Sequence, residues 1–315
     1  MREPLKGARI AVKTCMGVKK GEKVLVVTDP LKIEIARSLV EAAREIGART
    51  LLMCTPVGKR HGEEPPDVVG EAMRAADVVL APTTYSISHT QARLRATKSG
   101  VRIATMPMIT SDMMRRGAML ADYREVKKLS KRVVVRLARA REVEVTTRAG
   151  TDLMFSKVGR RVYDDTGIYH RPGDFGNLPA GEVAVAPVEG TAEGRVVVDG
   201  SMVDMVRGRI EIFIERGIAK KISGRPARGL LRMLREAGPK SRNLAEFGIG
   251  TNPKARLIGN VLEDEKVLGT CHIALGDNST FGGKTRAGIH VDGIFTMPTV
   301  KIDGKILMKD GRLRI

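Results

Sequence analysis

Lys23-Val-Leu-Val-Val-Thr28, followed at once by Asp29-Pro30, is the stretch on which the fold turns. Four consecutive apolar residues between a lysine and a threonine make a short run with no polar face, as in a strand covered on both sides. Asp29 then offers a helix N-cap, and Pro30 suits the first helical position because its missing N–H has no intrahelical partner there. Ile35, Leu39, Ala42 and Ile46 recur at helical spacing, and Gly47 supplies a stop. The segment therefore reads as strand, turn and covering helix.

Working outward, Thr50–Met53, Ala76–Ala81 and Arg102–Met106 repeat the pattern with helical stretches between them. Such alternation predicts a parallel sheet with covering helices, a Rossmann-like α/β domain. No GxGxxG or GxxxxGK[ST] follows the first strand, so nucleotide binding has no sequence support. Tyr123, Val126, Val133 and Leu137 mark a helix over 112–140, broken once, and the domain is expected to end near 141.

From 142 to 315 the texture changes to a β-rich domain. All six phenylalanines and 25 of the 34 glycines lie at or beyond residue 150. Glu142–Val145, Glu182–Pro187, Arg195–Asp199 and Arg209–Ile214 read as strands, and a single helix is expected over Arg225–Ala237. Val300–Ile302 and Lys305–Met308 flank Asp303-Gly304, the signature of a type I′ hairpin.

Net charge is +19, with 29 Lys and Arg against 16 Asp and Glu in residues 1–149, and 26 against 20 in the remainder. Such a surplus suits a nucleic-acid partner, but aromatics are only 3% of the chain and base-stacking platforms need them. Arg124, Lys127, Lys128, Lys131, Arg132, Arg136 and Arg139 read more simply as the wet face of an amphipathic helix. Cys15, Cys54 and Cys271 are odd in number and widely spaced, which fits a reducing compartment rather than a disulfide framework. No apolar run approaches the length of a membrane span, and MREPLKGARI has no signal-peptide core, so a cytoplasmic location is expected.

Without a CxxC pair, any metal site must rest on His, Asp and Glu. His290 and Asp292 are two residues apart, and in a strand both side chains leave the same face, about 7 Å apart along the chain. His272 lies in a similar short strand, Gly269–Gly276, so Cys271 should face the opposite side, toward the core. Nitrogen with oxygen ligands suits Zn, Mn, Co or Fe(II). A lone HxD is a weak signal, Glu246 also reads as a solvated strand end, and Glu263-Asp264-Glu265 also reads as an acidic first turn of a helix. Tyr85-Ser-Ile-Ser-His89-Thr follows the third strand, where open α/β sheets place ligands, although His89 also suits a simple helix-capping loop.

Taken in order, Asn177-Leu-Pro-Ala-Gly-Glu182, Ala245-Glu246-Phe-Gly-Ile-Gly-Thr-Asn252, Asp264-Glu265-Lys266, Cys271-His272-Ile-Ala-Leu-Gly276 and Ile289-His290-Val-Asp292 resemble the aminopeptidase T / aminopeptidase S family of metallo-aminopeptidases over roughly residues 170–300. The resemblance implies two divalent ions (Zn, Co or Mn) side by side in the C-terminal domain, a homodimer, and a peptide substrate. Carried over, the metal ligands are Glu182, Glu246, Glu265, His272, His290 and Asp292, with Glu246 bridging the ions. Glu182 or Glu246 is the implied proton acceptor. Glu265 stands seven residues before His272, where the family spaces its acid by five, and Ser279 stands where the family has a tyrosine.

Three functions follow as expectations. The first is hydrolysis of N-terminal residues from peptides by metal-activated water. The second is a ring-opening dioxygenase for dihydroxypyridine, which shares this superfamily, using Fe(II) on His272, His290 and Asp292. The third is a basic binding protein without catalysis.

Overall fold

The Lys23–Thr28 strand (β1) lies inside a five-stranded parallel sheet, in a computed structural model that describes residues 5–315. Its neighbours are Arg49–Cys54 (β2) at the edge and Val78–Thr83 (β3), followed by Arg102–Pro107 (β4). The fifth strand, Phe175–Asn177, comes from much later in the chain and pairs in parallel with β4. Every residue of β3 and β4 is buried, as expected of central strands covered on both faces. Asp29 accepts a hydrogen bond from Leu31 N at 3.0 Å, a 3-10 turn leads into the Ile33–Glu45 helix, and Gly47 takes a φ of +83° just past its end. This Rossmann-like arrangement belongs to a unit made of residues up to Lys127 together with Asp165–Ala180.

The second unit comprises Lys128–Asp164 and Gly181–Ile315. It contains an eight-stranded sheet, and a seven-stranded sheet whose central strands are Glu182–Val185, Leu244–Gly250, Thr270–Gly276 and His290–Thr296, paired antiparallel in that order. One apolar core draws Phe155, Val143 and Val145 from the first sheet, and Phe247, Ile273 and Phe295 from the second. The Phe155 and Phe247 rings meet at 5.3 Å between centroids. The tail hairpin turns at Asp303 and Gly304, both with positive φ, as type I′ geometry requires. Fold class is therefore α/β, a Rossmann-like unit plus a β-rich one.

The helix expected over 112–140 is interrupted. Ser111–Arg115 and a 3-10 turn at Gly117–Leu120 precede the long helix Tyr123–Arg139. Tyr123, Val126, Val133 and Leu137 are buried on it, and its seven basic residues are all exposed. None of the described helices is long and apolar enough to cross a membrane.

Candidate metal centre

Alternation along four neighbouring strands builds the site. Val183, Val185, Phe247, Ile249, Cys271, Ile273, Leu275, Val291 and Phe295 all enter the apolar core. Their even-numbered neighbours must then leave the other face of the sheet. That face carries Glu182, Glu246, His272, His290 and Asp292. Register brings them together: Gly250 pairs with Glu182, Gly248 with His272, Ala274 with Asp292, and Gly276 with His290. Leu244 also enters the core although its number is even, and the register shifts between Leu244 and Glu246. This irregularity resets the alternation so that Glu246 faces the site.

Distances are short throughout. Nε2 of His272 lies 3.3 Å from Glu182 Oε2 and 3.5 Å from Glu246 Oε1. Nε2 of His290 lies 3.0 Å from Glu246 Oε2 and 3.4 Å from Asp292 Oδ1. Three groups each place their ligand atoms within 4.8 Å of one another: Glu182, Glu246 and His272; Glu246, His290 and Asp292; Glu265, His272 and Asp292. Each group joins one imidazole to two carboxylates. The structure therefore gathers all six residues named from the sequence, Glu265 included.

His290 is oriented from behind. Its Nδ1 is 2.8 Å from the carbonyl oxygen of Asp277, so Nδ1–H donates there and Nε2 is left to face the carboxylates. Asp277 is itself fixed by Ser279, whose N–H and hydroxyl both donate to its Oδ1. Ser279 thus holds the loop that orients a histidine. Phe281 packs edge-on against His290 at 5.7 Å, and Tyr163 packs against Phe281 at 6.4 Å.

Electrostatics show a cluster that wants cations. Burial alone would raise the Glu246 carboxyl, yet the imidazoles of His272 and His290 beside it hold it well below the ordinary range. Burial opposes charge on His272 too, but Glu246, Glu182 and Glu265 push it up to about 9. Burial pushes Glu265 up to about 8, helped by Glu182 and Asp292 and opposed by Lys266. In the metal-free chain, protons on imidazole answer the negative charge.

Both nitrogens of fully buried His272 lack a hydrogen-bond partner, as does Glu182 Oε2. Leaving one buried polar group unpaired costs about 1–3 kcal/mol, so a buried imidazole with carboxylates at 3.3 and 3.5 Å fits a missing ion. Imidazole and carboxylate donors suit Fe(II), Mn, Co or Zn.

Sequence reasoning missed two residues here. Lys266 is 1% exposed, with Nζ 2.6 Å from Glu182 Oε1 and 2.5 Å from Glu265 Oε1. Gly248 lies under the His272 ring. Of the remaining acidic run, Glu263 pairs with Arg256 and Asp264 accepts from Ile258 N, so neither points to the site. His89 is exposed in the turn before the Gln91–Lys98 helix, which Thr90 caps by accepting from Arg93 N.

A Rossmann-like unit together with a β-rich unit bearing an imidazole–carboxylate cluster defines a two-unit α/β class. Within it, the chain belongs to the NicX family, described as 2,5-dihydroxypyridine 5,6-dioxygenase, whose model matches residues 8–315. It is 25% identical over 256 residues to the 2,5-dihydroxypyridine 5,6-dioxygenase of Pseudomonas putida, covering 76% of this chain and 71% of that protein. The solved 2,5-dihydroxypyridine dioxygenase of Pseudomonas putida KT2440 superposes with a TM-score of 0.85 at 21% identity, over 98% of this chain and 96% of that one. AmpT from Thermus thermophilus superposes with a TM-score of 0.74, also at 21% identity, over 98% of both chains. The aminopeptidase likeness is thus one of fold. The expectation of a hydrolase acting on peptides is overturned by the family match, which lies with the dioxygenase.

Proposed function

We propose that this chain is a non-haem Fe(II) dioxygenase that opens the ring of a dihydroxylated pyridine, 2,5-dihydroxypyridine being the first candidate. The observation that carries the metal assignment is buried His272 with no hydrogen-bond partner, facing carboxylates beside His290 and Asp292. The reaction class rests on the family match. Glu246, His290 and Asp292, with His272 across Glu246, would hold the iron.

Bound there, Fe(II) would supply the redox centre that lets O2 react with an electron-rich ring. The protein's own contribution is placement. Asp277 holds the His290 tautomer, and Glu246 stays ionised between two imidazoles. Phe281 and Tyr163 set an aromatic flank beside His290 that suits a flat ring.

The test is oxygen uptake. Chain stripped of metal and reloaded with Fe(II) under argon is mixed with 2,5-dihydroxypyridine and air-saturated buffer. One O2 should be consumed per substrate, with loss of the aromatic absorbance and both oxygen atoms of 18O2 in the product. Absence of uptake with every dihydroxypyridine isomer, together with release of amino acids from aminoacyl substrates, would return the chain to the hydrolases.

A further inference from the structure

The centre has three overlapping groups, and shared residues alone do not say how many ions they hold. Lys266 distinguishes among them. Its stem is completely enclosed, and its ammonium donates to Glu182 Oε1 and Glu265 Oε1 at once. Glu182 belongs to the first group and Glu265 to the third. The group of Glu246, His290 and Asp292 contains neither of these two acids.

We propose that Lys266 is a built-in cation that stands in for a second metal ion and restricts the centre to one. A divalent ion binds carboxylate oxygen at about 2.0–2.2 Å. Lys266 Nζ already lies 2.6 and 2.5 Å from one oxygen of each acid, so an ion drawing on either carboxylate meets a fixed positive charge across it. A lysine does this where a neutral water does not, because it carries a fixed charge. It is a compact point charge with three donors, and its four-carbon stem fits an enclosed path.

This inference rests on the metal-site part of the function proposed above, and counting ions separates the two. Metal-free full-length chain is titrated with Mn(II), and bound metal is read by electron paramagnetic resonance and elemental analysis. Wild type should saturate at one Mn(II) per chain with an isolated-ion spectrum. Lys266→Met should saturate at two, with the spectrum broadened by coupling between neighbouring ions, and Lys266→Arg, which keeps the charge, should stay at one. Two ions on wild type, or a folded Lys266→Met that stays at one, overturns the inference. If Lys266→Met does not fold, Lys266→Gln carries the same expectation, and the wild-type count decides by itself. One ion per chain without oxygen uptake would leave this inference standing and remove the dioxygenase reading. No Mn(II) bound would remove both.

Discussion

Gly248 lies directly beneath His272: a Cβ built at position 248 would fall 2.0 Å from His272 Nε2 and 2.1 Å from Cε1. The imidazole is completely buried. Gly248→Ala should therefore push the ring away from the carboxylates, although alanine is otherwise acceptable in a strand. We expect metal affinity to fall by about 10–100-fold, the usual cost of disturbing a ligand's support. Circular dichroism should stay unchanged. Mn(II) titration of the variant checks this, and wild-type affinity would mean the ring is not held by this contact.

Opposite faces of one sheet give a second comparison. His290→Ala and Asp292→Ala should abolish metal binding, since each removes a member of the Glu246, His290 and Asp292 group. Cys271→Ser should keep its metal, because that side chain enters the apolar core. Its cost is one of stability, about 1–3 kcal/mol for a buried hydroxyl. Denaturant unfolding with and without metal separates the two effects. Loss of metal in Cys271→Ser alone would invert the assignment of faces.

Thiol reactivity follows from the same burial. Cys54 is exposed, whereas Cys15 and Cys271 are buried, and burial raises both of their thiols well above the ordinary value. Thiolate is the reactive form. A chromogenic disulfide reagent should titrate one thiol in native protein and three in denaturant. A second fast-reacting thiol in the native state would show that one of these sites opens.

Acid sensitivity is expected at the tail hairpin. Asp303 accepts from Arg141 N and Glu142 N at 3.0 and 2.9 Å, and these hydrogen bonds lower its carboxyl below the ordinary value. A depressed carboxyl favours the folded state above its unfolded pKa, about 3.9, and loses that contribution as pH falls through the folded pKa. Asp303→Asn should therefore unfold more easily near neutral pH and show a shallower loss of stability below pH about 4. Equal slopes for both proteins would remove the role of this residue.

Much of this was readable from residue order alone. The buried run at Lys23–Thr28 follows from an unbroken apolar stretch, and the His290/Asp292 face and the opposed Cys271 from a strand's period of two. Lys266 escaped because a lysine after three acids reads as a surface salt bridge, and only the folded chain shows it enclosed. Gly248 escaped because its constraint is cross-strand, set by a ring 24 residues away. Phe175–Asn177 is three residues long and too short to carry a pattern. The reaction itself was misread because peptide hydrolysis and ring opening draw on the same ligand types, so the residues named the metal centre without naming the chemistry.

The even-numbered spacing of the centre has a consequence for how such a protein changes over generations. Exchanging a side chain on this face alters one position and leaves the others where they were. Gaining or losing a single codon inside Thr270–Gly276 or His290–Thr296 does something different: it turns every residue beyond that point through half a revolution, sending imidazole into oil and leucine into water. Lineages bearing this centre should therefore accept replacement at the other positions of these strands more readily than changes of length, which should collect in the connecting loops, or occur in a strand only where a bulge such as the one before Glu246 restores the count.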